Sequence, residues 1–176
     1  KADFAADIDT LMQDAGATPP LAPVDRDDPC WFFFTSGTSG RPKASILTHG
    51  QLGFVINNHL CDLVPGSDHQ DASLVVAPLS HGAGMHQLMM SARGAPTILT
   101  TAPRFDTGEI WSLVARWRVT NIFTVPTILK MLVEAPEAAT AEKCSLRYVI
   151  YAGAPMYRTD QIKAQEVLGP VLVQYF

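Results

Sequence analysis

From Trp31 onward, short apolar runs of strand length alternate with stretches whose apolar residues recur every three or four positions. Trp31–Phe34, Ser73–Ala77, Thr97–Thr101, Asn121–Val125, Leu146–Tyr151 and Val171–Phe176 read as strands, with Trp31–Phe34 the most apolar and expected to be buried. Thr48–Leu60, Met85–Arg93, the stretch holding Ile110, Leu113, Val114 and Trp117, a segment opening at Pro126, and Thr159–Leu168 carry helical spacing. Strands that alternate with helices of about ten residues predict βαβ units. The expected fold is therefore α/β, a mainly parallel sheet with helices on both faces. Local signals agree: the fixed φ of Pro126 suits a first helical position, and Asp106 stands at capping-box spacing from Glu109. Upstream, Phe4, Ile8, Leu11 and Met12 share one helical face before Gly16. Pro19, Pro20, Pro23 and Pro29 then interrupt any regular element. The division this predicts is a helix and Pro-rich linker over 1–29 and an α/β unit over 30–176.

Composition adjusts this picture in one respect. The 176 residues fall within the range of a single domain and the hydrophobic content of 47% is ordinary, yet only 17% of residues are charged, against about 25% in a typical globular chain. Faces poor in charge pack against other protein, so the chain is expected to be part of a larger polypeptide. The run Val171–Phe176, which stops without a turn or polar tail, leads to the same expectation of truncation at both ends. A net charge of -4 offers no basic footprint for nucleic acid. No apolar run reaches the roughly 18–20 residues that span a bilayer, and the first residues lack a basic-then-apolar signal pattern; a cytoplasmic location is expected. Cys30, Cys61 and Cys144 are odd in number and widely spaced, and read as reduced thiols. Self-association stays open.

The candidate chemistry lies in Thr35-Ser36-Gly37-Thr38-Ser39-Gly40-Arg41-Pro42-Lys43, directly after Trp31–Phe34. Gly37 and Gly40 permit positive φ, so main-chain N–H groups can converge on an anion. Thr35, Ser36, Thr38 and Ser39 supply hydroxyl donors, and Lys43 a cation able to reach a polyphosphate. A plain Ser/Gly-rich turn is the competing reading. Lys43 is read as opening a helix, where a cation is unfavourable unless an anion is bound. Three neighbouring motifs fail on spacing: Pro42 occupies the second glycine of a P-loop counted from Gly37, G-x-G-x-x-G is not matched, and Ser39 is not in G-x-S-x-G.

These residues resemble the signature T-S-G-[ST]-T-G-x-P-K-G of the adenylate-forming superfamily, which includes acyl-CoA synthetases, luciferases and peptide-synthetase adenylation domains. Ser39 replaces its threonine and Ala44 its last glycine. The likeness continues in order: Leu47-Thr48-His49; Pro78–Gly84, whose His81 corresponds to the residue beside the acyl pocket; Phe105-Asp106; Val119-Thr120; and Val125-Pro126-Thr127. Ala152-Gly153-Ala154-Pro155 is similar to the G-G-A-P turn along the adenine, and Gln174-Tyr175-Phe176 to the start of N-x-Y-G-x-T-E, with Phe176 at the stacking aromatic. The resemblance implies the large amino-terminal domain of an ATP-dependent carboxylate ligase, with ATP, Mg2+ and coenzyme A as cofactors and a small carboxylic acid as substrate. Lys43 and His81 would be catalytic, while Thr35, Ser36, Gly37, Thr38, Ser39, Gly40, Gly153, Ala154, Pro155, Gln174, Tyr175 and Phe176 would contact the nucleotide. Its metal-binding threonine and glutamate, ribose-binding aspartate and small lysine-bearing domain are absent from these residues, so no metal ligand is assigned and the chain alone is expected not to adenylate. Motif spacing is more like acyl-CoA synthetases than carrier-loading adenylation domains. A non-catalytic phosphate-binding module is the alternative from another class.

Among the other residues, His81 and His86 are five apart without a nearby Cys, Asp or Glu, which excludes a zinc pair. His49, His59 and His69 are expected at the surface or in caps. Met85, Met89 and Met90 are expected to fill core. Met85, Leu88, Ile122 and Val125 suit an apolar acyl pocket as well as a hydrophobic core.

Overall fold

A computed structural model describes residues 16, 20–35 and 40–175. The helix expected over 1–15, the loop residues Ser36, Gly37, Thr38 and Ser39, and Phe176 lie outside the described residues. Two sheets are present. The larger has five strands, β3 (Ser73–Val75), β4 (Thr97–Leu99), β5 (Asn121–Thr124), β6 (Tyr148–Tyr151) and β7 (Leu172–Gln174), in the spatial order β4-β3-β5-β6-β7. Every neighbouring pair in it is parallel. Helices α2 (Gly82–Ala92), α3 (Thr107–Trp117), α4 (Pro126–Glu134) and α5 (Arg158–Leu168) link its strands, as parallel pairing requires.

Alternation along the central strands feeds two cores. Ile122, Val149 and Tyr151 face a cluster with Ile110, Trp111 and Val114 of α3, Leu129 and Leu132 of α4, and Ala164 of α5. Phe123 and Ile150 face the opposite cluster, with Leu60, Val64, and Ala83, Met89 and Met90 of α2. Helices therefore cover both faces, as expected, and Ile122 is core. The carboxyl-end loops fall along one edge, where parallel α/β sheets place their ligands.

The hairpin departs from expectation. β1 (Pro29–Thr35) pairs antiparallel with β2 (Lys43–Thr48), forming a separate two-stranded sheet. The loop after Trp31–Phe34 thus turns back into a strand rather than entering a helix. The sequence of β2, KASILT, alternates weakly and begins next to Pro42, so its strand character is muted. Nor is the aromatic strand buried: Phe32 is 47% exposed, Phe34 70% and Ile46 52%, while Trp31 and Phe33 stack on the other face with ring centroids 5.6 Å apart. Only after β2 does α1 (His49–Asn58) begin, with Thr48 closing a reciprocal capping box with Gln51. Part of the Pro-rich segment docks on that helix start, since Arg26 O accepts from Gly50 N at 2.8 Å and Asp28 O from His49 N at 3.1 Å.

Candidate functional site

The carboxyl edge of the parallel sheet carries the starts of α2, α4 and α5. Their N-cap positions are held by His81, Val125 and Tyr157, and none makes a side-chain cap hydrogen bond. In contrast α1 is closed by Thr48 and α3 by Asp106 Oδ1, which accepts from Glu109 N at 3.0 Å. Three helix starts on one edge thus offer first-turn N–H groups that no N-cap side chain covers, though Gly84 N donates to His81 O and Pro126 has no N–H, together with the positive ends of their dipoles, a setting that favours anions.

Two clefts open beside these helix starts. One, of about 320 Å³, lies at the ends of β3 and β4 and is lined by Val76, Ala77, Pro78, Arg104, Phe105 and Ile110 among others. Glu109 fixes its outer wall, accepting from Thr101 N and Thr101 Oγ1 at 2.7 Å each and from Ala102 N at 3.2 Å. The Thr101 hydrogen bonds hold its carboxyl below the usual carboxylate range. They also account for the half-formed capping box: Glu109 turns toward the β4–α3 loop and not toward the Asp106 backbone. The second cleft, of about 240 Å³, lies between α4 and α5 and is lined by Pro126, Thr127, Pro155 and Tyr157, with Lys130 and Asp160 paired at 2.9 Å. The segments Val125–Thr127 and Ala152–Pro155, distant in sequence, therefore border one opening. Gly153 takes φ +81, which glycine adopts freely, and Ala152 N donates to Thr124 O at 3.2 Å.

Lys43 is the first residue of β2, exposed and paired in register with Thr35, so the two polar ends of the loop face each other across the hairpin. The helix-dipole argument for Lys43 fails accordingly, because about 17 Å of strand separates it from α1. Gly40 has φ +75. The hairpin leans on α2: Trp31 Cη2 lies 3.1 Å from the position a Cβ would take on Gly84, and the same Cβ would overlap the Leu79 carbonyl oxygen. This places the strand leading to the loop against the turn that His81 begins. His81 itself is exposed. Gln174 does not project freely: its Oε1 accepts from Tyr151 Oη at 3.3 Å, and Gln161 Nε2 donates to the same hydroxyl at 3.2 Å.

The chain matches the AMP-binding enzyme family over residues 2–176. It belongs to that family. Feruloyl-CoA synthase of an Amycolatopsis species is 41% identical over 140 residues, which cover 78% of this chain and 28% of that relative. The long-chain-fatty-acid–CoA ligase FadD13 of Mycobacterium tuberculosis is 30% identical over 145 residues, covering 82% and 28%. An inhibitor-bound amino-terminal domain of FACL13 from the same organism superposes with a TM-score of 0.81 at 28% identity, covering 98% of this chain and 42% of that one. The chain thus spans about three tenths of the length of the ligases it matches.

Two histidines are buried. His59, expected at the surface or in a cap, stands at the C-cap position of α1 and is 6% exposed. His86 is 1% exposed, with Nε2 2.9 Å from Asn121 Oδ1. Asn121 Nδ2 donates to the Met90 sulfur and to Thr120 Oγ1, both at 3.2 Å, so Asn121 Oδ1 is the acceptor and His86 Nε2 carries the hydrogen. His86 Nδ1 is then a lone pair without a partner among the described residues. Burial pushes the imidazole down to about 4 from 6.5, opposed by the Asn121 bond and aided by His59. An unfolded histidine takes a proton near pH 6.5 and the folded one only near 4, so the stability is intact above 6.5 and falls as pH drops through that interval. Between pH 7 and pH 5 the wild type is expected to lose about 2 kcal/mol to this group. Urea unfolding at both pH values checks this: His86→Leu should flatten the difference, and an equal slope in both proteins would refute it. No spacing in the sequence signals either residue, because a single histidine in an apolar helix carries no period.

Proposed function

We propose that the polypeptide containing this chain is an ATP-dependent carboxylate–CoA ligase that forms an acyl-adenylate and then a thioester. The observation that carries this reading is the shared edge: β1, which leads into the hydroxyl-, glycine- and lysine-bearing segment, packs through Trp31 against the start of α2, on the edge where α2, α4 and α5 begin without side-chain caps. Such an edge fits a polyphosphate. A substrate carboxylate would attack the α-phosphate of ATP, and the bond from that phosphorus to the bridging oxygen would break as pyrophosphate leaves. Lys43, the loop hydroxyls and the free N–H groups would bear the negative charge that builds on the leaving group. A thiol would then attack the acyl carbon and expel AMP. His81, exposed at the start of α2, would border the acid. The cavity at the ends of β3 and β4, walled by Val76, Pro78, Phe105 and Ile110, supports an acid with an apolar body.

The magnesium that the resemblance implies would be held mainly by the nucleotide phosphates, and among the described residues no three His, Cys, Asp or Glu side chains cluster to hold a metal ion by themselves. No step here is routed through it. The test is acid-dependent exchange of pyrophosphate into ATP by the complete protein, with thioester appearing on addition of coenzyme A. The 176-residue chain by itself is expected to give no exchange. Nucleotide binding by the complete protein without exchange, across a panel of aromatic and aliphatic acids, would instead assign a binding module.

A further inference from the structure

Beyond the loop and the helix starts, the edge strand β7 poses a mechanical problem. It has three residues and a single neighbour, β6, so its end is held by few bonds. Tyr175 follows it immediately, donates its N–H to Tyr151 O at 3.1 Å, and precedes Phe176 in the sequence. What holds the Tyr175 ring comes from the other side of the molecule. After α1 the chain enters a wider turn, His59–Leu63, in which Val64 N donates to His59 O at 3.0 Å, an i to i+5 bond. Such insertions recur at functional sites. Here the turn presents a buried imidazole to the sheet, and His59 meets Tyr175 edge-on with ring centroids 5.0 Å apart and planes at 63°.

The imidazole is itself oriented. His59 Nδ1 lies 2.8 Å from Val55 O, and since a carbonyl can only accept, Nδ1 carries the hydrogen. The His59 backbone N–H also donates to Val55 O, so ring and main chain are tied to one oxygen a turn back along α1. Val55 O therefore fixes the ring, the ring backs Tyr175, and Tyr175 ties the end of β7 to Tyr151 O. None of these contacts belongs to the loop or the clefts.

We infer that His59 is a positioning residue for the nucleotide, holding the end of β7 through Tyr175 so that Gln174 and Tyr175 are presented in one geometry. This inference rests on the ligase reading. It separates His59 from ordinary core because the predicted effect is selective: nucleotide affinity should fall while acid affinity does not. In the complete protein, calorimetric ATP affinity is expected to weaken about fivefold in His59→Ala, the scale of one edge-to-face aromatic pair. His59→Phe, which keeps an aromatic edge against Tyr175 but not the bond to Val55 O, should recover part of that loss. The KM for the acid should stay within about twofold in both. Should the alanine variant fail to fold, His59→Leu, which retains bulk but no aromatic edge, takes its place with the same expected loss. Unchanged ATP affinity in the alanine or leucine variant, an equal loss in His59→Phe, or a parallel rise in the KM for the acid would overturn the inference. A wild type that binds ATP but shows no acid-dependent exchange would overturn the ligase reading while leaving the His59 comparison decided by the affinities. A wild type that binds no ATP would overturn both.

Discussion

Gly84→Ala is expected to destabilise the protein by about 3 kcal/mol or more and to impair the site at the same time. Its Cβ would overlap the Leu79 carbonyl oxygen and crowd Trp31 Cη2, and both neighbours are poorly able to move. Leu79 O belongs to the main chain entering α2, where His81 N donates to Pro78 O and Gly84 N to His81 O. Trp31 is held by its stack on Phe33 and by pairing with Leu47. Relief would require α2 to shift outward or the hairpin to tilt, and either displaces β1 from the His81 turn. Gly53→Ala is the control. That glycine lies exposed within α1 with nothing within 4 Å of its Cβ position, so the substitution should be neutral or stabilising by up to about 1 kcal/mol. Thermal unfolding of the pair decides the matter: similar midpoints for the two variants would refute the close approach of β1 to α2.

Lys43→Ala has the largest expected effect on chemistry and almost none on folding. Lys43 is exposed at the first position of β2 and makes no ion pair among the described residues, so its removal leaves no buried partner stranded. On the proposed reading its ammonium meets charge that accumulates as pyrophosphate departs. Losing one preorganised donor of that kind costs about 3 kcal/mol, or roughly a hundredfold in rate. Pyrophosphate exchange by the complete protein should fall by that factor with the unfolding midpoint unchanged. Lys43→Arg should recover part of the rate, since charge is kept while reach and geometry differ. Exchange within about threefold of wild type in the alanine variant would remove Lys43 from the mechanism.

The parallel sheet was legible because its central strands are buried on both faces and read as mainly apolar runs; Tyr148–Tyr151 and Asn121–Thr124 fall where the pattern put them. Helix starts marked by local chemistry were equally legible, as with Pro126 at the first position of α4 and Asp106 capping α3. The hairpin was not, because β2 carries Lys43 and Ser45 among its apolar residues and lies on no buried face that would enforce alternation. Its outer residues Phe32, Phe34 and Ile46 are apolar and exposed, so hydrophobicity pointed to burial that the described chain does not provide. Within the candidate site, residue types could be named from motifs, but convergence could not: Pro126 and Pro155 border one cleft only because β5 and β6 are neighbours. The support beneath the site was the least legible part. His59 faces Tyr175 across 116 positions of chain through a turn that no residue spacing announces.

The central claim is that one nucleotide lies across the carboxyl edge of this sheet with its phosphates at the crest of the β1–β2 hairpin. Its most direct test is a crystal structure of the complete protein with ATP bound. The account predicts phosphate oxygens within about 3 Å of donors in the Thr35–Lys43 loop, and the base beside Gly153–Pro155 and Tyr175. ATP seated on the opposite, amino-terminal edge of the sheet, or phosphates with no contact to that loop, would contradict it.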